Sequence, residues 1–254
     1  MDQLLVQWGS GNIGRAFIWE IFARSGYRVT FIDIDQTLID GLNTHHGYRV
    51  REVSQEGTRT LHVTGIDAVN AADQDRVFEA VESCTLLSVS VGKQVLPYIA
   101  EQLAQALVRR YRKRPGDPLN LIIAENIHNG AAYLSQLLKP HIKDAFILKQ
   151  YIGLVETSIG KMVPIQTHPD PLILTAEPYN TLYVDRDGFL GNIPDCPYLK
   201  PVCPITAYVE RKLYVHNLGH AAAAYFGFQA YPRAVYLPEV LEDSLVLGKT
   251  REVM

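Results

Sequence analysis

The six-residue turn Gly9-Ser10-Gly11-Asn12-Ile13-Gly14 restricts the fold of this chain more than any other feature. A GxGxxG spacing alone is a weak signal, because glycines cluster in many loops. Here its flanks make it specific. The apolar run LLVQW (4–8) ends at the turn, as a buried strand would. Beyond it Ile13, Phe17, Ile18, Ile21 and Phe22 recur at three- and four-residue spacing, which predicts one buried helix face. Gly26 ends that pattern, and RVTFIDID (28–35) reads as a second strand closing on acids. Strand, glycine turn, helix and strand within about 30 residues form a βαβ unit, so the two strands run parallel with a right-handed crossover.

Each glycine then has a physical task. The first permits the tight turn, the second lets a pyrophosphate approach the backbone, and the third allows the helix to pack closely on its strand. Unpaired N–H groups and the positive dipole end at the helix start favour phosphate. Asp33 lies 19 residues after Gly14, where a carboxylate accepts hydrogen bonds from an adenosine ribose and repels a 2′-phosphate. No Arg follows in Ile34-Asp35-Gln36. NAD is therefore the expected cofactor, held by Gly9, Ser10, Gly11, Asn12, Ile13, Gly14 and Asp33. Asp35 is a rival for the ribose, displaced by its place in the following loop.

Further α/β alternation extends the pattern. Residues 48–66 carry two β-like runs around SQEGT, an antiparallel excursion, and a helix is predicted over 73–82. TLLSVSV (85–91) reads as a strand buried on both faces, followed by a long helix over 94–112, the strand LNLIIA (119–124) and a helix across 128–138. After residue 150 the texture changes. KMVPI, LILTAE and TLYVDR look like short strands, a proline-rich loop covers 186–204, and a helix starts near Ile205. The expectation is an α/β chain with a Rossmann-type, doubly wound, mostly parallel sheet over 1–150, and a smaller, partly helical substrate domain over 151–254.

Bulk properties narrow the partners. A net charge of -3 over 254 residues offers no basic nucleic-acid surface. Three scattered cysteines without CxxC spacing argue against a disulfide framework or a zinc site, and His45 and His46 lack convergent partners. No apolar run reaches the roughly 18 residues of a membrane span, and the first residues do not read as a signal peptide. The expected setting is cytoplasmic, without membrane or metal.

The segment Tyr208–His220 is dense in functional groups on a predicted helix. On an α-helical wheel His220 falls roughly 80° from Lys212, and Asn217 roughly 140° from it, so one broad face presents an amine, an imidazole and an amide. A neutral lysine can take the proton of a secondary alcohol while hydride leaves the carbon, with Asn217 and His220 steadying the oxygen. A solvated lysine beside ordinary polar groups explains the same pattern equally well. His216 lies on the same wheel, and spacing does not choose between the two histidines.

The residues in hand resemble the mannitol dehydrogenase family of polyol-specific long-chain dehydrogenases. The likeness runs through GSGNIGRAFI (9–18), TFIDID (30–35), ENIHNGAAYL (125–134), EPYNTLYVD (177–185), GNIP (191–194) and VERKLYVHNLGHAAAAYFG (209–227). It implies the arrangement K-x4-N-x2-H, matched by Lys212, Asn217 and His220, which selects His220 over His216. It also implies that Asn126 lies near the reacting centre, where a helix N-cap is its bland alternative. NLGHA and AYFG resemble the phosphate-using branch, which implies a sugar alcohol phosphate as substrate: mannitol 1-phosphate and NAD giving fructose 6-phosphate and NADH. A polyol 2-dehydrogenase, a hexuronate reductase and a non-catalytic NAD binder are the alternatives. Arg211 is a phosphate candidate by nearness only. Two departures stand out. Gly160-Lys161 replaces the family's Asp-Arg, implying a lost polar contact near the site. The family also continues far beyond the lysine helix, whereas this sequence stops 34 residues after His220, which implies a truncated or reduced domain. Apolar surface near Phe226, Phe228, Tyr231 and Leu237 would then be open to self-association.

Overall fold

The computed structural model describes residues 3–254, which divide into two compact units, the first reaching Ile205 and the second covering Thr206–Met254. The first unit holds an eight-stranded sheet in the order β11-β10-β8-β7-β6-β1-β2-β5. Its strands are β1 (Leu4–Trp8), β2 (Arg28–Asp33), β5 (Ile66–Asn70), β6 (Leu86–Val89), β7 (Leu119–Ile123), β8 (Ile152–Ile159), β10 (Leu182–Asp185) and β11 (Leu199–Val202). From β5 to β8 every pairing is parallel. Strand β10 then pairs antiparallel with β8, and β11 runs parallel to β10, so these two edge-side strands oppose the rest. Parallel strands need crossovers, and helices supply them.

The first crossover enters through a π-helical turn, Gly14–Ile18, and continues as α1 (Trp19–Ala23). Phe17, Ile18, Ile21 and Phe22 are fully buried, the face that the spacing predicts. Each such side chain is worth roughly 1.5–3 kcal/mol of burial. Gly26, at φ +86°, turns the chain into β2. Strands β6 and β7 are buried at every position, because helices α3 (Gln74–Ser83), α4 (Leu96–Lys113) and α5 (Gly130–Leu138) and the helix after the glycine turn leave neither face to water.

The excursion at 48–66 is a hairpin, β3 (Gly47–Ser54) against β4 (Gly57–Thr64). It adds β9 (Ile173–Ala176) as a parallel third strand, a long-range pairing with no local signal. Helix α2 (Gln36–His45) also lies outside the sequence expectation. Asp35 caps it, its side chain accepting from the Leu38 N–H at 3.1 Å. That bond gives Asp35 a capping duty of its own at the start of the loop after β2.

Three boundaries differ from expectation. The first unit does not end near 150: β8 pairs with β7, and β10 and β11 extend the same sheet, so the division falls between Ile205 and Thr206. KMVPI is not a strand, since Pro164 has no N–H to give and the Gln166 amide takes its carbonyl. The loop 186–204 contains β11, which pairs with β10 in spite of Pro201 because it is an edge strand.

The second unit continues the helix α6 (Ile205–Arg211) through a π-helical turn, Lys212–Asn217, into α7 (Leu218–Ala230). Helices α8 (Leu237–Leu241) and α9 (Ser244–Val253) pack on α7. Phe228 and Tyr231 are exposed, while Phe226 and Leu237 are half-buried. Among the described residues no helix is long and apolar enough to cross a membrane.

Candidate functional site

Strand β1 has β2 on one side and β6 on the other, so the chain reverses its direction of winding there. Such a switch point opens a crevice at the carboxyl ends of the strands. The glycine turn lies at its mouth. Gly9 adopts φ +95°, and a Cβ there would run into the Ser90 carbonyl oxygen. A Cβ on Gly14 would run into the Gly9 carbonyl, while one on Gly11 would meet nothing within 4 Å. The first and third glycines are thus required by the turn itself. The second keeps open the face that a ligand would approach. Beneath the turn the buried Gln7 amide donates to the Trp8 carbonyl at 3.0 Å, the Gly9 carbonyl at 3.2 Å and Ser90 Oγ at 2.8 Å. The cleft has a volume of about 220 Å³. Ile32, Ala71, Val95 and Ile99 line it as apolar walls suited to a flat base, with the Asp33 carboxylate at its rim.

Asp33 ends β2 and is held by four donors. Ser10 gives Oδ2 its backbone N–H and its hydroxyl, both at 2.6 Å, while Ile34 N–H at 2.7 Å and Asp35 N–H at 3.2 Å reach Oδ1. Burial pushes this carboxyl upward, but the hydrogen bonds from Ser10, Asp35 and Ile34 outweigh it and leave the group below the usual aspartate value. Asn12 and Ile13 start the helix, and Arg15 closes the turn from behind, its Nε donating to the Ser10 carbonyl at 2.5 Å. Spacing gives no hint of Arg15: it lies on the buried face, stacked over Tyr48 at 5.7 Å, where a hydrophobic residue is the usual occupant.

Glu125 and Asn126 leave the end of β7. Glu125 Oε1 accepts the N–H groups of Val91 and Gly92, both at 2.7 Å, and so ties this loop to the one after β6. Burial holds its carboxyl above the ordinary glutamate value in spite of the two backbone bonds. Sequence reasoning assigned Glu125 no role, although it stands beside Asn126. Asn126 is exposed, and the α5 N-cap position belongs to Asn129. Asn126 is thus not the N-cap residue of α5.

The substitution Gly160-Lys161 has a structural account. Lys161 is buried, with its ammonium 3.1 Å from Glu20 Oε2 and 2.8 Å from Asn180 Oδ1, so a cation persists at this position with its own acid. A Cβ on Gly160 would press on the Tyr179 ring at 3.1 Å, so a side chain there requires that ring to shift.

Lys212, Asn217 and His220 belong to the second unit, whereas the glycine turn, Asp33 and Asn126 belong to the first. The π-helical turn alters their mutual geometry. Its i→i+5 bonding brings residues five apart toward one face, so Lys212 and Asn217 align better than the 140° of an α-helical wheel. Burial lowers the pKa of the Lys212 ammonium. His216 and His220 contact each other edge to face, with ring centroids 4.7 Å apart, and both are exposed. Proximity alone therefore still does not separate the histidines. No group of three or more His, Cys, Asp or Glu side chains suited to a metal occurs among the described residues.

Comparison with known proteins bears on this arrangement. Residues 3–197 match the family model of the mannitol dehydrogenase Rossmann domain. The chain belongs to the mannitol dehydrogenase family. Among its relatives is a mannitol-1-phosphate 5-dehydrogenase of Enterococcus faecalis, 31% identical over 251 residues, covering 98% of this chain and 64% of that protein. Another from Geobacillus thermodenitrificans is 35% identical over 242 residues, covering 94% of this chain and 62% of the relative. The chain thus spans a little under two thirds of the length of these family members. Two solved structures share the fold. D-mandelate dehydrogenase with NADH superposes with a TM-score of 0.54 at 10% identity, over 98% of this chain and 76% of the other. Octopine dehydrogenase with NADH and agmatine gives 0.52 at 10% identity, over 92% and 56%.

Proposed function

We propose that this member of the family is an NAD-dependent dehydrogenase that interconverts a sugar alcohol phosphate and a ketose phosphate, mannitol 1-phosphate and fructose 6-phosphate. The observation that carries the reading is the π-helical turn, which aligns Lys212 with Asn217 while burial favours the neutral amine of Lys212. When bound, NAD supplies the acceptor for the hydride of the carbinol carbon. Lys212 Nζ takes the hydroxyl proton, and Asn217 and His220 hold the oxygen as its C–O bond becomes a carbonyl. Asn126 is the residue assigned to the substrate hydroxyl or the nicotinamide side.

The residues fit the cofactor. Gly11 leaves a face that a Cβ would fill, the cleft walls are apolar, and Asp33 presents a carboxylate where a ribose diol would lie and a 2′-phosphate would be repelled. This supports NAD over NADP. Cytoplasmic work accords with three cysteines present as free thiols. Exposed Phe228 and Tyr231 support self-association through the second unit, which sedimentation of the purified chain would reveal.

The test is turnover. Mannitol 1-phosphate and NAD should yield NADH by absorbance, and Lys212→Ala should abolish it. A panel of free polyols, sugar phosphates and hexuronates decides the substrate class. Tight NADH binding with no turnover on any of them would leave a nucleotide binder and defeat the catalytic reading.

A further inference from the structure

The Asp33 carboxylate has about four lone-pair positions, and four donors already fill them. A ribose diol brings two more O–H donors to the same oxygens. Three of the occupants are backbone N–H groups of Ser10, Ile34 and Asp35, fixed by the glycine turn and by the exit of β2. The fourth is the Ser10 hydroxyl, 2.6 Å from Oδ2, which leaves by rotation about a single side-chain bond. Ser10 is fully buried while Asp33 is half-buried, so the hydroxyl grips the carboxylate from below and the cleft opens on its other side.

We propose that the Ser10 hydroxyl is a latch on Asp33 that competes with the adenosine ribose and thereby sets the affinity for the dinucleotide. The inference rests on the cofactor reading above. In the free protein the latch gives Asp33 Oδ2 a second donor beside the Ser10 N–H and fixes the carboxylate's orientation. On binding, the ribose hydroxyls take Oδ positions, and the Ser10 O–H must turn away from its charged acceptor. A hydrogen bond to a charged group is among the stronger ones, so its loss subtracts from the gain of binding. Removing the hydroxyl removes the competition and leaves the Ser10 N–H in place.

Two measurements on the full chain test this. In ligand-free protein, carboxyl-carbon NMR should show the Asp33 titration midpoint rising in Ser10→Ala. NADH titration followed by fluorescence should show Ser10→Ala binding about tenfold tighter than wild type, the scale of one charge-assisted hydrogen bond. Ser10→Gly, which also lacks the hydroxyl, should match it and serves if the alanine variant misfolds. An unchanged Asp33 midpoint, or wild-type NADH binding that is equalled or weakened in both variants, overturns the latch and leaves the cofactor reading intact. Wild-type protein that binds no NADH overturns both.

Discussion

The ammonium of Lys161 lies 3.1 Å from the carboxylate of Glu20, with both side chains sealed from solvent. Glu20 also holds Arg24 at 2.7 Å and accepts from the Asn180 amide at 2.7 Å. Removing one member of a buried pair strands the other, which costs about 3–5 kcal/mol. Glu20→Ala should therefore lose about that much stability in urea unfolding. Lys161→Met should lose less, because Glu20 keeps Arg24 and Asn180. Equal losses in the two variants would show that the pair is not what stabilises this junction.

Gly11 and Gly14 should respond oppositely to alanine. A Cβ on Gly11 meets open space, so Gly11→Ala should fold at least as well as wild type, while the methyl group obstructs a phosphate approaching the turn. A Cβ on Gly14 collides with the Gly9 carbonyl and must push the helix from its strand. Thermal unfolding and NADH titration together check this. Gly11→Ala should keep its Tm and bind at least tenfold more weakly, whereas Gly14→Ala should lose both.

Asp33 links stability to pH. Its folded pKa lies below the ordinary aspartate value, so the carboxylate stabilises the fold fully above the unfolded pKa of about 4. That contribution disappears as pH falls through the lower folded value. Wild type should lose more stability than Asp33→Asn between pH 6 and pH 3, compared by urea midpoints. Parallel losses would mean that the four hydrogen bonds are not held in solution.

With Lys212 as the proposed base, activity should carry the opposite signature. A general base works only when neutral, and burial lowers the pKa of its ammonium. Polyol oxidation should rise with pH and level off at a midpoint below that of an ordinary lysine, about 10.4. Ketose reduction, which needs the protonated form, should decline over the same interval. Lys212→Ala should cut kcat at least by about 10²–10⁴ and erase the pH dependence. A retained profile in that variant would assign the base elsewhere.

Alkylation distinguishes the thiols. Cys84 is buried and its thiol is pushed up to about 12, chiefly by desolvation, whereas Cys203 is exposed but held above the ordinary thiol value by Asp187. Mass spectrometry after iodoacetamide at neutral pH should find slow modification at Cys203 and none at Cys84 or Cys196 until the chain unfolds.

The βαβ entry, the hairpin at 48–66 and the buried strands β6 and β7 were legible because each has a local cause. Glycine at a turn, spacing of three and four on a helix and an unbroken apolar run act within a few residues of themselves. The same locality marked Gly9 and Gly14 as turn glycines and Asp33 as the acid that ends β2. What tertiary structure decided were relations between distant segments. Strand β9 finds β3, β10 and β11 extend the first sheet past residue 150, and Glu125 reaches the loop after β6. Ser10 and Asp33 pair across 23 positions, and Lys161 finds Glu20 across 141. The π-helical turn at Lys212–Asn217 belongs to the same class, since a wheel drawn from sequence assumes one helical period. Local spacing reports which face a residue turns inward. Which group it meets there depends on long-range closure of the chain, and no window of neighbouring residues carries that information.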